Sequence, residues 1–515
     1  MLSFAIGRMA EARYNVGISG CPEALDALRD WRRRSKTVST PCRGETMKLA
    51  GMALAMLLAG CAAGPDYRAP DVSAPATWHS AMKGGLEPAS PEAAQLAQWW
   101  NGLDDPMLSR LIEEAAASNL DLKLARARLA EARARRGVAE ADRFPTLNGR
   151  AGANRSRSSG EIGPAGGLVS EMYSAQFDAS WELDIFGGKR RALEAAEATL
   201  EASREDLRDV QVSLLAEVAL NYIELRADQA RLAIAQRNLA TQTETWQIAR
   251  WRFEAGLTTQ LDEDQAKLNL EQTRAQLPAL ASALEQAKNR LAVLLGKRPG
   301  ELAELDAPAP LPRIPATVAV GIPADTLRNR PDLRRAERQL AAATAQVGVA
   351  SAALYPDFSL SGTLGLQSLS SGDLLTASAR MWSVAANAGW VLFDAGRIRQ
   401  NIAVQSALQE QALIRYESAV LAALRDVENA LVAYAEEQNR RTALDGAVQA
   451  AQSAASLAAS QYAAGLIDFQ SVLDTQRSLL NLQDLLAQSD AAVASNLARL
   501  YKTLGGGWQI SGEAS

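Results

Sequence analysis

The chain is poor in the residues that carry most enzyme chemistry. Of its 515 residues, 3 are cysteine and 1 is histidine. Cys21, Cys42 and Cys61 all lie near the start, so nearly the whole chain can form no disulfide and offers no thiol. His79 stands alone beside Trp78 in a Pro/Ala-rich stretch and reads as a surface residue. A metal site of the usual Cys/His kinds therefore has no ligands, and a nucleophile–base–orienter set has no base. Carboxylates scattered on helices do not define a site. Basic charge is not in excess either. The chain carries −5, and −9 once residues 1–60 are set aside, which argues against a nucleic-acid partner. The glycine-rich stretches Gly163–Gly167 and Gly505–Gly507 neither precede a Lys-Ser/Thr nor open a strand-to-helix turn, so no phosphate loop is read. The composition points to no enzyme, no metal and no soluble cofactor.

Glycine and proline are missing where they would interrupt a helix. Between Gly188 and Gly256 there is neither. Leu193, Leu200, Leu207 and Leu214 recur every seven residues, step by eleven to Leu225, and resume as Leu232, Leu239, Trp246 and Phe253. Four extra residues in a heptad run form a stutter that locally unwinds a left-handed coil. Leu270, Leu277, Leu284 and Leu291 supply a returning arm, with a kink expected at Pro278. A second pair of arms spans Arg397–Tyr462, broken at Gly446, and Ile467–Leu504. A helix of about 65 residues is roughly 100 Å long, too long for a globule. Each hairpin turns at a glycine, in Ala255-Gly256-Leu257 and Ala464-Gly465-Leu466. An ordinary coiled-coil rod is the simpler alternative.

Four alternating segments argue against a plain rod. Tyr173, Ala175, Phe177, Ala179, Trp181 and Leu183 oppose Ser174, Gln176, Asp178, Ser180, Glu182 and Asp184. Leu147, Gly149, Ala151 and Ala153 oppose Asn148, Arg150 and Asn154. Phe358, Leu360, Leu364 and Leu366 oppose Asp357, Ser359, Ser361, Thr363 and Gln367, and the run from Trp382 to Leu392 closes the set. Alternation over about ten residues suits a membrane barrel strand; a soluble sandwich with one wet face is the alternative. Four strands cannot close a barrel, so other copies must pair the edges. Two copies give eight strands and a filled interior; three give twelve, which the polar inner face favours. The loops Arg155–Ser170 and Leu369–Ala379 are expected outside. Trp181 is echoed by Trp390 and Phe253 by Tyr462, both 209 residues on, while Phe144-Pro145 and Tyr355-Pro356 lie 211 apart.

At the start, Met47-Lys48, an apolar run from Leu49 to Leu58, and Leu58-Ala59-Gly60-Cys61 follow one another. The run is too short to span a bilayer but fits a signal-peptide core. Leu-Ala-Gly-Cys resembles the bacterial lipobox, which implies diacylglycerol and palmitate on Cys61. Ala62 after it favours outer-membrane sorting by resemblance to bacterial lipoproteins. Residues 1–46 then read as an over-extended gene start and 47–60 as the signal peptide.

Cys61-Ala62-Ala63-Gly64-Pro65-Asp66-Tyr67, Trp99-Trp100 with Leu103-Asp104-Asp105-Pro106, Leu473-Asp474-Thr475-Gln476-Arg477-Ser478-Leu479, and Leu500 through Trp508 carry a wider likeness. Over roughly 61–508 the chain resembles the TolC/NodT family of outer-membrane efflux factors. The resemblance implies an α+β membrane protein: a long α-helical coiled-coil barrel fused to a transmembrane β-barrel, four strands per protomer and twelve per homotrimer, with two internal repeats. The expected division is a linker at 61–103, a first repeat at 104–300 with strands about 146–185 and hairpin 188–297, and a linker at 301–322. A second repeat follows at 323–508, with strands about 357–394 and hairpin 396–504, then a tail at 509–515. The family role is the passive exit duct of a tripartite efflux system, bound by a periplasmic adaptor and fed by an inner-membrane transporter of the RND type. A protein-secretion duct or a channel-less structural lipoprotein are the competing readings. By the same resemblance Gly256, Leu257, Gly465 and Leu466 face the adaptor, and Gln470 and Asp474, one helical turn apart, line the periplasmic aperture. Three copies of Asp474 would form an acidic ring that repels itself and attracts cations.

Overall fold

The computed structural model describes residues 62–71, 75–90, 92–161 and 167–508. Cys61 and the signal segment lie outside these. A short strand β1 (Leu86–Glu87), helix α1 (Ala93–Ala97), α2 (Pro106–Ser118) and α3 (Leu120–Ala141) lead to β2 (Thr146–Arg157) and β3 (Val169–Leu183). Helices α4 (Gly188–Glu254) and α5 (Gln260–Leu294) form the first hairpin. Strand β4 (Val318–Ala319), α6 (Pro323–Asn329) and α7 (Pro331–Ala352) precede β5 (Asp357–Ser368) and β6 (Arg380–Gly389). Helices α8 (Arg397–Ala463) and α9 (Phe469–Thr503) form the second hairpin. The outgoing arms are 67 residues each and the returning arms 35 each. At 1.5 Å per residue the long arms reach about 100 Å.

Strands β2, β3, β5 and β6 form one antiparallel sheet in that order, leaving β2 and β6 as edges. Its register sorts the side chains. Asn148, Asp178, Thr363 and Ser383 share one row, and Thr146, Ser180, Ser361 and Ala385 another. On the opposite face Gly149, Phe177, Leu364 and Trp382 share a row, as do Leu147, Ala179, Gly362 and Val384. On the polar face Asp178 accepts from Thr363 at 2.8 Å and from Gln176 at 3.0 Å, with Arg150 3.5 Å away. The alternation therefore forms two unlike surfaces.

Strand β6 stops at Gly389, paired with the first residue of β5, so Trp390–Phe393 leave the expected strand. Trp390 instead donates Nε1 to Leu354 O at 3.1 Å, as Trp181 does to Arg143 O at 2.9 Å. The first outer loop is also shorter than expected at its ends, because β2 continues to Arg157 and β3 begins at Val169, whereas the second spans 369–379 as expected. Helix α8 runs unbroken through Gly446, whose missing Cβ faces open space, so the cost is only about 1 kcal/mol of propensity. Helix α5 likewise continues through Pro278, forfeiting one backbone bond within a long ladder.

The main core lies midway along the helices, where α2, the linkers and the ends of the returning arms wrap α4 and α8. Leu103, Leu108, Ile112, Leu215, Tyr222, Leu291, Leu305, Val427, Tyr434 and Leu497 are buried there. Arg226, also buried, finds its partners in Tyr222 Oη (3.0 Å), Gln229 Oε1 (2.7 Å) and Ala307 O (2.9 Å). Tyr222 in turn donates to Asp105 at 2.9 Å, and burial pushes its phenol up to about 12. The network fastens the linker between the halves onto α4.

Below the core the leucine pattern divides. Leu207, Leu214 and Leu225 are buried, Leu232 and Leu239 only partly, and Phe253 is exposed. The buried seam towards the turn is Ala235, Gln242 and Ala249, three residues further round. Small side chains let the arms of one chain approach closely, leaving much of the leucine stripe on the outside.

At the sheet end, the first described residues are held against the helix starts. Arg191, 7% exposed in its side chain, donates to Ala63 O (3.2 Å), Gly64 O (3.5 Å), Asp66 (2.6 Å) and Glu194 (2.7 Å). Ala63 N donates to Phe186 O at 2.9 Å. Gly64, at φ +88°, lies so close to Gly348 that an added Cβ would sit 2.3 Å from its Cα.

Candidate functional site

The two hairpin turns are built alike. After α4, Gly256 N donates to Phe253 O (2.9 Å) and Leu257 N to Arg252 O (2.8 Å), with Gly256 at φ +70°. After α8, Gly465 N donates to Tyr462 O (3.0 Å) and Leu466 N to Gln461 O (2.9 Å), with Gly465 at φ +74°. Each is a Schellman closure, which needs a left-handed residue after the helix and so favours glycine. The next helix begins at once. Thr259 and Asp262 form a capping box, and Asp468 accepts from Ser471 N at 2.9 Å. Asp262 closes this capping box and Asp468 is the N-cap of α9; the Thr258 hydroxyl first and then Thr259 hold the Asp262 carboxyl below its ordinary value, and the Ser471 hydroxyl and amide do the same for Asp468.

Leu257 is 76% exposed and Leu466 74%, and a Cβ on either glycine would meet nothing within 4 Å. The tips present backbone and leucine to the outside. They are joined sideways by a small core of Ala249, Ala266, Ala458, Phe469, Val472 and Leu473. Phe469 also meets Tyr462 at 5.1 Å, and Arg252 lies 4.5 Å over the Tyr462 ring. Higher up, Arg231 of α4 grips Asp484 of α9 at 2.6 Å, a half-buried ion pair that joins the two hairpins.

Gln470 and Asp474 sit on the exposed face of α9, in its first and second turns. Gln470 Nε2 donates to Asp474 Oδ1 at 3.0 Å. Asp474 is not a lone anion: Arg477 Nη1 lies 3.8 Å from the same oxygen. Arg477 also donates to Asn269 Oδ1 of α5 at 2.6 Å. The i, i+3 spacing of Asp474 and Arg477 is the sequence signal for this pair. Beside this group Gln242 Oε1, Trp246 Nε1, Asn269 Nδ2 and Gln476 Oε1 are buried without a hydrogen bond in the chain. Among the described residues no cluster of His, Cys, Asp and Glu could hold a metal, and no helix is long and apolar enough to cross a membrane.

Comparison with known proteins places this geometry. Residues 111–297 and 322–506 match the family model described as outer membrane efflux protein. The solvent efflux pump outer membrane protein SrpC of Pseudomonas putida is 32% identical over 461 residues, 88% of this chain and 97% of that protein. Nodulation protein T of Rhizobium leguminosarum bv. trifolii is 33% identical over 459 residues, 88% of this chain and 96% of that protein. The solved outer-membrane channel OprN is 39% identical with a TM-score of 0.83, covering 87% of this chain and 100% of that one. A sheet with sorted faces, set on helices about 100 Å long, is the body of an outer-membrane channel with a periplasmic tunnel. The chain belongs to the outer membrane efflux protein family and acts as an outer-membrane efflux duct.

Proposed function

We propose that three copies of the chain close a twelve-stranded barrel and continue it as a helical tunnel, through which small molecules leave passively. The observation that carries this reading is the sheet itself. Its apolar face suits lipid, its polar face suits a water-filled lumen, and both edge strands need partners that lipid cannot supply. Equal arm lengths and matching turns support a duplicated unit, with repeats over 104–300 and 323–508.

The tips around Gly256, Leu257, Gly465 and Leu466 are the surface we assign to a periplasmic adaptor. Their open backbone permits close approach, and the two leucines offer apolar contact. An RND-type inner-membrane transporter would supply the energy and select the cargo. Solvents, as in the name of the Pseudomonas relative, are candidate cargo. Cys61 is the proposed site of diacylglycerol and palmitate. Gln470 and Asp474 are assigned to the periplasmic aperture, with Arg477 as their charge partner, so the aperture ring is a mixed rather than a purely acidic one.

Planar-bilayer conductance of the purified protein, with its mass fixed by light scattering, tests the reading. A trimer with discrete openings is expected. A monomeric rod without conductance would favour a structural lipoprotein and overturn the duct as drawn.

A further inference from the structure

The apolar face of the sheet is interrupted at one end. From the helical end it carries Leu183, Trp181, Ala179, Phe177, Ala175 and Tyr173, and in the same rows Leu360, Leu364, Val384 and Trp382. Past Tyr173 and Trp382 the same face holds Arg155, Arg157, Glu171 and Arg380. From Trp181 to Tyr173 is eight residues, about 26 Å along a strand. With the usual tilt this spans about 20 Å of height, near that of the apolar band of an outer-membrane barrel. The arginines therefore stand just beyond the hydrocarbon on the side away from the helices. Three cations meet one acid there. Arg155 pairs with Glu171 at 3.1 Å, while Arg157 and Arg380 have no ion-pair partner among the described residues.

Arg155 and Arg157 lie on edge β2, and Arg380 on edge β6. The two halves give the register with which these edges would meet. The pair Leu147–Ala179 has its counterpart in Phe358–Ala388, at the same 211 and 209 offsets that relate Phe144 to Tyr355 and Trp181 to Trp390. Applied to β3 against β5, these offsets turn Tyr173–Ser368 into Trp382 against Arg157 of the partner subunit. They turn Ala175–Leu366 into Val384 against Arg155 of the partner subunit. Arg380 then falls diagonal to Arg157 of the partner subunit on the same face, a spacing of about 7–8 Å. Two guanidinium groups at that distance, outside the sheet and beside the exposed ring of Trp382, are placed to share one anion.

We propose that each seam between copies binds a phosphate-bearing lipid headgroup of the outer leaflet. Arg380 and Trp382 come from one copy and Arg155 and Arg157 from the next. The lipid's acyl chains lie along the apolar face below, and its phosphate bridges the guanidinium groups. The site rests on the closure proposed above, since neither edge holds it alone.

Native mass spectrometry of the detergent-purified protein tests this. The probes are a bis-phosphorylated disaccharide lipid, the same lipid without phosphates, and inorganic phosphate. The trimer is expected to retain the phosphorylated lipid, roughly three molecules, one per seam, and not the unphosphorylated one. Arg157→Ser with Arg380→Ser should lose that retention. Arg157→Lys with Arg380→Lys should keep it, which guards against a serine pair that assembles poorly. Equal retention of the unphosphorylated lipid, full retention by the serine pair, or complete displacement by equimolar inorganic phosphate would overturn the lipid site. A wild-type chain weighed as a monomer would overturn closure itself; a wild-type trimer without lipid would overturn only the seam site.

Discussion

Replacing Arg191 with alanine should loosen the segment that opens the described chain. The guanidinium is almost wholly buried, and its two carboxylate partners are not: Asp66 is 83% exposed and Glu194 42%. Those ion pairs contribute little, about 0–1 kcal/mol each, because water replaces them readily. The bonds to Ala63 O and Gly64 O and the methylene stem packed on Gly348 matter more. Together the loss is about 2–4 kcal/mol, or an opening equilibrium raised roughly 30-fold to several hundred-fold. The amide of Ala63 reports it directly, since it is protected only by Phe186 O. Its hydrogen exchange should accelerate by that factor while amides in the central core do not change. Gly64→Ala should do at least as much by a different route. Its Cβ would strike the Gly348 backbone at 2.3 Å, and φ +88° is strained for alanine. Gly348→Ala should do less, because its Cβ meets the flexible Arg191 stem at 2.8 Å. Unchanged exchange at Ala63 in both Arg191→Ala and Gly64→Ala would refute the argument.

Three further expectations are separate from this. Asp474→Ala should shift the reversal potential in a salt gradient towards anions, since Arg477 is left uncompensated, and Arg477→Ala should shift it towards cations; no change in either would remove both from the aperture. Gly465→Ala should cost about 1 kcal/mol of local strain and keep efflux, whereas Gly465→Trp should block complementation of an efflux-deficient host with trimer levels intact; full complementation would clear the tip of any docking role. Asp209 is raised above the ordinary aspartate value by burial, against the pull of Arg335 at 3.0 Å and with Asp332 and Asp206 adding to the rise. A raised folded-state value means stability that is complete below the unfolded value, about 3.9, and lost as pH rises through the raised one. Asp209→Asn should therefore flatten thermal stability across that window; an unaltered pH slope would refute it.

The long arms and the strands were legible because each follows one period without interruption. Period two held from Tyr173 to Leu183 and period seven from Leu193 to Leu214, and the folded chain keeps both. The ends were less legible, since pairing decides them. Trp390 continues the alternation by sequence, yet β5 begins opposite Gly389 and leaves it nothing to pair with. The seam near the tips does not follow the heptad leucines. Heptad leucines mark the most apolar stripe, but the arms of one chain close on Ala235 and Ala249, where small side chains permit the nearest approach. Arg477 and Arg191 were hidden in another way. A pair such as Asp474–Arg477 can be read along a helix, whereas the union of Arg191 with Gly64 spans more than a hundred residues and has no local pattern. The turn glycines were the easiest, because a reversal between two helices leaves few other residues able to hold a positive φ.

The open edges of the sheet have a consequence for assembly. Strand β2 presents an open edge 12 residues long and β6 one of 10, with alternate residues unpaired. In water such edges are templates for indiscriminate pairing, and in hydrocarbon each orphan amide costs several kcal/mol. A lone copy thus has no comfortable solvent. On the closure proposed above, insertion and oligomerisation become one event, with a rate that depends steeply on how many copies share a patch of membrane. Any device that confines chains to the membrane surface, as acylation near Cys61 would, acts first as a concentrator and only afterwards as an anchor.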